Sequence, residues 1–215
     1  MDIRNQSIED GGTYHIFNKG SNDINIFTDS EDYKYFITLL IKYILPVATV
    51  YSWALLRNHF HILLHIKEDI QYKWTKKTLP TKDSNIWATE GIQLSNVNNR
   101  IPIAVNHFRH LFNAYAHYFN LKHKRKGSLF DKPYKRVLIE NDKHLINELL
   151  YINTNAVKHG FSIDSFEWKW SSANEIIHEK SELTDVEYVI SLFDGVQNFQ
   201  FILNNSSGKY DSELE

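Results

Sequence analysis

The chain has 215 residues, is 42% hydrophobic and 14% aromatic, contains no cysteine and carries a formal net charge of −2. These values imply a folded chain, either one ordinary domain with a sizeable core or one domain plus appendages. They exclude a disulfide scaffold and a cysteine-based zinc finger, so any metal must be held by His, carboxylate or amide groups.

No run approaches the ~20 apolar residues of a membrane span. The polar start, MDIRNQSIEDGG, has no signal-peptide character, so a soluble cytoplasmic protein is expected. In chain order, Gly12–Asn18 alternates Tyr14 and Ile16 against His15 and Phe17 and reads as a first strand. Asp29 or Ser30 can cap a helix from Glu31, with Tyr33, Phe36, Leu39, Leu40, Tyr43 and Ile44 at helical spacing and a stop before Pro46. Two extended runs follow, Thr49–Leu56 and His59–Ile66, joined at Arg57-Asn58.

Residues 68–99 mix Lys, Thr, Ser, Asn and Asp with scattered apolar residues and read as a loop or insertion. A long helix is predicted over Ala104–Leu121, a strand over Tyr134–Ile139, and a helix over Lys143–Val157 capped by Asn141 or Asp142 and stopped at Gly160. The order strand, helix, two strands, helix, strand, helix predicts an α+β sandwich of the ferredoxin-like split βαβ type. Its antiparallel sheet would carry helices mainly on one face and leave the other free to present His59 and His61. Residues 1–175 would form the main domain and 176–215 an acidic C-terminal extension, with a short helix over Val186–Phe193.

His59 and His61 flank Phe60 in a strand, so they project from one face ~6.5–7 Å apart. Two imidazoles on a rigid strand make half a metal site, although such pairs also occur as ordinary polar-face residues. His65, on the same face, is either a third ligand or an exposed residue. Tyr151 and Asn155 lie four apart on the last predicted helix and therefore share a face. The phenol is a possible nucleophile and the amide oxygen suits a hard cation; taken alone, Tyr151 reads first as a packing residue.

Charge is unevenly placed. Residues 100–136 hold Arg100, Arg109, Lys122, Lys124, Arg125, Lys126, Lys132, Lys135 and Arg136 against Asp131, while the chain from Glu175 onward is acidic. Aromatics are interleaved with these basic residues: Phe108, Phe112, Tyr115, Tyr118, Phe119, Phe130 and Tyr134. That composition suits single-stranded nucleic acid, by phosphate contact and base stacking. It equally suits a solvated helix whose aromatics are core.

Asn58-His59-Phe60-His61 resembles the histidine–hydrophobic–histidine (HUH) signature of single-strand DNA transposases and replication nucleases. Tyr14-His15-Ile16-Phe17-Asn18-Lys19-Gly20, Gly127-Ser128-Leu129-Phe130 with Tyr134-Lys135, Tyr151 to Gly160, and Trp170-Ser171-Ser172 are similar, in order, to blocks of the REP-associated tyrosine transposases, the insertion-sequence-200-like branch. Departures are Arg57 where that family usually has methionine or proline, and Asn155-Ala156-Val157 where it commonly has Asn-Pro-Val.

The resemblance implies a transposase that cleaves and rejoins single-stranded DNA at hairpins. Tyr151 would be the nucleophile forming a 5′-phosphotyrosine, and His59, His61 and Asn155 the ligands of one Mg²⁺ or Mn²⁺, with no nucleotide cofactor. Lys122, Lys124, Arg125, Lys126, Lys135 and Arg136 would bind the DNA backbone, with Arg109 and His110 as weaker candidates. It leaves open a monomer or a homodimer. Three other readings stay open: a domesticated protein that binds DNA or RNA hairpins without cutting, a phosphodiesterase using water, and a structural protein with an incidental His pair.

Overall fold

A computed structural model describes residues 6–70, 72–73, 87–88 and 99–206. The main sheet has four strands, β1 (Thr13–Lys19), β2 (Ala48–Leu55), β3 (His59–Ile66) and β7 (Lys135–Leu138), in the order β2-β3-β1-β7. All three pairings are antiparallel. With α1 (Ser30–Tyr43) between β1 and β2, and α2 (Ala104–Lys122) between β3 and β7, this is the expected split βαβ arrangement.

Strand alternation sorts the sheet into two faces. Tyr14, Ile16, Trp53, Leu55, Phe60, Ile62 and Leu64 join α1 and α2 in one core. That core also takes Phe108, Tyr115, Phe119 and Phe130, all buried. Those four rings are structural and cannot stack on bases; Phe112, Tyr118 and Tyr134 stay partly exposed. Asp29 caps α1, accepting from the backbone N–H of Glu31 at 2.9 Å and of Asp32 at 3.1 Å.

The opposite face is not left free. Helix α3 (Asp142–Lys158), capped by Asn141, lies on it, followed by α4 (Ala173–Ile177), α5 (Val186–Ser191) and α6 (Val196–Asn204). Leu149, Ile152, Ile176, Val189, Phe199 and Leu203 form a second core there with Ala54, Leu56 and Leu63. Helices therefore cover parts of both faces. The split follows from sequence: α3 and the C-terminal helices have their own apolar residues and need a surface on which to bury them. From the C-terminal segment, Ile176, Val189, Phe193, Phe199 and Leu203 belong to this second core and Leu183 to the first.

Between Val50 and Ser52 the β2–β3 register shifts, a bulge at Tyr51 that sends Tyr51 into the second core. The region expected to be a loop, 68–99, lies largely outside the described residues. Its described parts, β4 (Tyr72–Lys73) and β5 (Trp87–Ala88), pair antiparallel with β6 (Asn99–Pro102) in a small second sheet.

Candidate active site

The site lies where the odd-numbered side chains of β1 and β3 meet α3. Register fixes the sheet half: Phe17 pairs with His61 and Lys19 with His59, so all four share one face, and Lys135 joins them opposite Phe17. Helical spacing fixes the other half, because Glu148, Tyr151, Asn155 and His159 recur every three or four residues. A buried polar clamp holds helix against sheet. Asn153 Nδ2 donates to Ser52 Oγ on β2 at 2.9 Å, and Ser172 Oγ donates to Asn153 Oδ1 at 2.8 Å. Ser172 Oγ also accepts from the Trp53 backbone N–H at 3.0 Å. The Trp170-Ser171-Ser172 segment thus pins α3 along the edge of β2.

The four residues proposed from sequence come together. Asn155 Oδ1 is 3.2 Å from His59 Nε2, and the His59 and His61 ring centroids are 5.2 Å apart. The Tyr151 ring stands edge-on to His61 at 5.5 Å, with the Lys158 ammonium 5.1 Å from its centre. A cavity of about 510 Å³ opens on this face, lined among others by Phe17, Asn58, His59, His61, Lys135 and His159. Tyr151 is 1% exposed and is absent from that lining.

These residues fit a hard divalent ion. Asn58 Oδ1 lies 2.8 Å from His59 Nδ1; an amide oxygen only accepts, so Nδ1 carries the proton and Nε2 keeps its lone pair when the ring is neutral. A protonated His59 donates to Asn155, whereas a neutral one sets two electron-pair donors face to face at 3.2 Å. That spacing is about the ~3 Å edge of an octahedron with ~2.1 Å bonds. The Asn155 amide nitrogen is buried and has no hydrogen-bond partner among the described residues. Burial, followed by the neighbouring His15 and His59, pushes His61 well below the usual imidazole range, so at neutral pH it keeps the lone pair a ligand needs.

Other expected residues are placed elsewhere. His65 Nδ1 pairs with Thr13 Oγ1 at 3.0 Å and lies outside the cavity lining. Arg136 points to the opposite sheet face, where its Nε donates to the Gln6 carbonyl and its guanidinium covers Tyr134. The Lys122 ammonium is engaged by Asp29 at 2.7 Å, Asp32 at 3.0 Å and Glu31 at 3.1 Å. Arg125 bonds Asn120 Oδ1 at 2.9 Å.

Lys124 and Lys126 are exposed. Arg109 lines a second cavity of about 720 Å³, which shares Asn18 and Asp131 with the first. Among the described residues, Asp29, Asp32 and His123 are the His/carboxylate group with ligand atoms all within 4.8 Å. The Lys122 ammonium already satisfies those carboxylates.

Three residues at this site are not singled out by the sequence patterns: His15, Glu148 and His159. His15 Nε2 is 2.9 Å from His61 Nδ1, and His15 Nδ1 is 3.0 Å from Glu148 Oε2. The second contact is short but poorly aligned for a hydrogen bond. The His159 ring centre is 4.9 Å from that of His59. Parity in β1 and the spacing to Tyr151 and Asn155 were the available signals.

No family model matches the chain, and no curated protein matches it. It is similar to a solved structure of a REP-associated tyrosine transposase bound to a REP hairpin, with a TM-score of 0.57 and 15% identity, over 85% of this chain and 87% of that one. Among the described residues no helix is long and apolar enough to cross a membrane. At that identity the likeness is one of fold: the chain has the α+β architecture of a REP-associated tyrosine transposase.

Proposed function

We propose that this protein is a metal-dependent single-stranded DNA transposase of the HUH tyrosine type, cutting and rejoining DNA beside hairpins. The observation that carries the reading is the convergence of Tyr151 and Asn155, from α3, on His59 and His61, from β3. His59, His61 and Asn155 would hold Mg²⁺ or Mn²⁺. The ion's contribution, when bound, is to polarise a non-bridging phosphate oxygen and stabilise charge building on phosphorus.

The chain's residues do the rest. The Tyr151 oxygen forms a bond to phosphorus as the bond to the DNA 3′-oxygen breaks. The phenol gives up its proton and the departing oxygen takes one, so protons balance. One phosphodiester replaces another, so the bond's energy is kept for rejoining and no nucleotide cofactor is needed. The Lys158 ammonium, over the Tyr151 ring, favours negative charge on the phenol oxygen. Lys135 in the cavity, with exposed Lys124 and Lys126, supplies phosphate contacts. Arg109 in the adjoining cavity extends that path. The hairpin in the related structure makes hairpin DNA the substrate to try first.

The burial of Tyr151 favours a second reading, a protein that grips hairpins without cutting, because attack requires the phenol to be uncovered. One experiment separates the two. Protein incubated with Mg²⁺ and hairpin-bearing single-stranded DNA should give a covalent adduct on a denaturing gel. Tyr151→Phe should abolish the adduct and leave DNA binding near wild type. Binding with no adduct in the wild type establishes the binding-only reading, and an adduct surviving in the variant moves the nucleophile elsewhere.

A further inference from the structure

Three features lie outside the proposed ligand set. The Asp29–Asp32–His123 group is already bridged by the Lys122 ammonium. The cavity beside Arg109 carries no feature that selects an occupant. The third is a line of buried polar side chains behind His61, which runs from β3 through β1 to α3.

We infer that Glu148 and His15 are positioning residues that fix the proton of His61 on Nδ1 and so hold its Nε2 lone pair ready for a ligand's role. Glu148 Oε2 lies 3.0 Å from His15 Nδ1 without the alignment of a hydrogen bond; at that distance a carboxylate's charge favours the tautomer that turns an N–H rather than a lone pair toward it, so Nδ1 of His15 is assigned the proton. The Nε2 of a neutral His15 is then an acceptor. It lies 2.9 Å from His61 Nδ1, which must be the donor. One proton remains on His61 and it is spent there, leaving the lone pair on Nε2.

The opposite assignment places the bare Nδ1 of His15 against the carboxylate, two electron-rich atoms at 3.0 Å. In a buried setting that arrangement is strongly disfavoured, since His15 is 1% and Glu148 4% exposed.

A second observation agrees independently. At the neighbouring position Asn58 Oδ1 faces His59 Nδ1 at 2.8 Å and sets the same tautomer. Two unrelated devices, a local amide on one imidazole and a two-residue relay on the other, leave Nε2 as the lone-pair nitrogen in both rings. An isolated imidazole carries its proton on either nitrogen, and partners to the other nitrogen fix ligand histidines in this way. Simple packing of α3 on β1 would need no buried carboxylate beside an imidazole. The inference rests on the proposed function for its purpose, but its geometry is readable in the metal-free protein.

The test is the ring nitrogen spectrum of His61 in full-length, metal-free protein at about pH 8, where imidazoles are neutral. Long-range proton–nitrogen correlations should show the protonated signature at Nδ1 and the lone-pair signature at Nε2, assigned by loss of the signals in His61→Asn. Glu148→Leu should move proton density from Nδ1 to Nε2, and Glu148→Gln, whose amide oxygen still accepts, should restore it. Mn²⁺ titrated by calorimetry should bind about 10–100-fold more weakly to Glu148→Leu, the usual cost of losing an outer partner.

A wild-type His61 protonated on Nε2 overturns the inference with no variant needed, as does a tautomer indifferent to Glu148→Leu in a folded protein. If the tautomer behaves as stated but Mn²⁺ does not bind, the positioning role stands and the metal-dependent reading falls.

Discussion

Two parts of this molecule bring imidazole and oxygen ligand atoms together, and they differ in how charge is settled. Where α1 begins and α2 ends, Asp29, Asp32 and His123 crowd within 4.8 Å, and Lys122 lies 2.7 to 3.1 Å from Asp29, Asp32 and Glu31. Asp32, fully buried, also accepts from the Thr28 backbone N–H at 2.9 Å and the Thr28 hydroxyl at 2.7 Å. Every oxygen of Asp32 is answered from within the chain. At β3 and α3 the ligand-type atoms are an imidazole nitrogen and an amide oxygen, 3.2 Å apart, with no carboxylate among the proposed ligands. Proximity of ligand atoms is thus a poor mark of a functional site. The balance of donors against acceptors is the better one: the first cluster is a complete ion pair network, and the second, under the proposed function, would be completed by a cation.

The sharpest way to break this comparison is to remove one ligand from each cluster and read both metal binding and stability. His59→Ala should lose Mn²⁺ binding beyond detection in calorimetry, while changing the urea midpoint by less than the equivalent of about 1 kcal/mol, as expected for a partly exposed side chain. Asp32→Ala should do the reverse. Removing the buried one of Lys122's three carboxylate partners, and the acceptor of two Thr28 donors, should cost about 3 kcal/mol in urea unfolding, the lower end for broken buried pairs, with Mn²⁺ affinity unchanged. If Asp32→Ala weakens Mn²⁺ binding, the two clusters have been assigned the wrong way round.

A smaller effect tests how α3 is held over β3. Asn153→Ala removes the clamp to Ser52 and Ser172 and leaves buried hydroxyls short of a partner, at about 1–3 kcal/mol. If the clamp positions Asn155, Mn²⁺ affinity should fall as well, and Asn153→Asp, which keeps an acceptor for Ser172, should recover part of the stability. A variant that loses stability with no change in affinity would make the clamp purely structural.

The contrast also explains what could be read in the sequence. The strand carrying His59 and His61 runs over His59–Ile66 as expected, and Asn141 caps the helix bearing Tyr151 and Asn155. Both follow from local pattern: alternation in a strand, a cap followed by helical spacing. Periodicity gives the face of each element but not which faces meet. Lys122 reads as a free cation until the fold sets it beside Asp29 and Asp32, some 90 positions away. The apparent stacking surface of α2 is the side that buries Phe108, Tyr115 and Phe119. Arg136 and Lys135 are neighbours in sequence and on opposite faces of the sheet. His15 escaped notice because its partner Glu148 comes from a different element. The bulge at Tyr51 leaves no trace in the alternation of Thr49–Leu56.

The smallest expected effect is the most discriminating, because pH acts on the two clusters in separate windows. Burial alone would raise the Asp32 carboxyl, but bonds from Thr28, Lys122 and His123 outweigh it and hold the group below its ordinary value of 3.8. The unfolded chain therefore binds this proton first as pH falls. The stability Asp32 supplies is complete above about 3.8 and is lost as pH drops through the lower folded value. Burial acts the other way on His61, keeping it neutral below the ordinary 6.5, so its confinement begins to cost stability once pH falls under 6.5. Urea midpoints from pH 8 to 3 should show His61→Asn flattening the loss that begins near 6.5, and Asp32→Asn flattening the loss that begins near 3.8. Added Mn²⁺ should offset the first loss in the wild type, because binding draws on the neutral His61, and should leave the second untouched. Protection by Mn²⁺ of the lower window alone would place the ion at Asp32, and the division between the two clusters would fail.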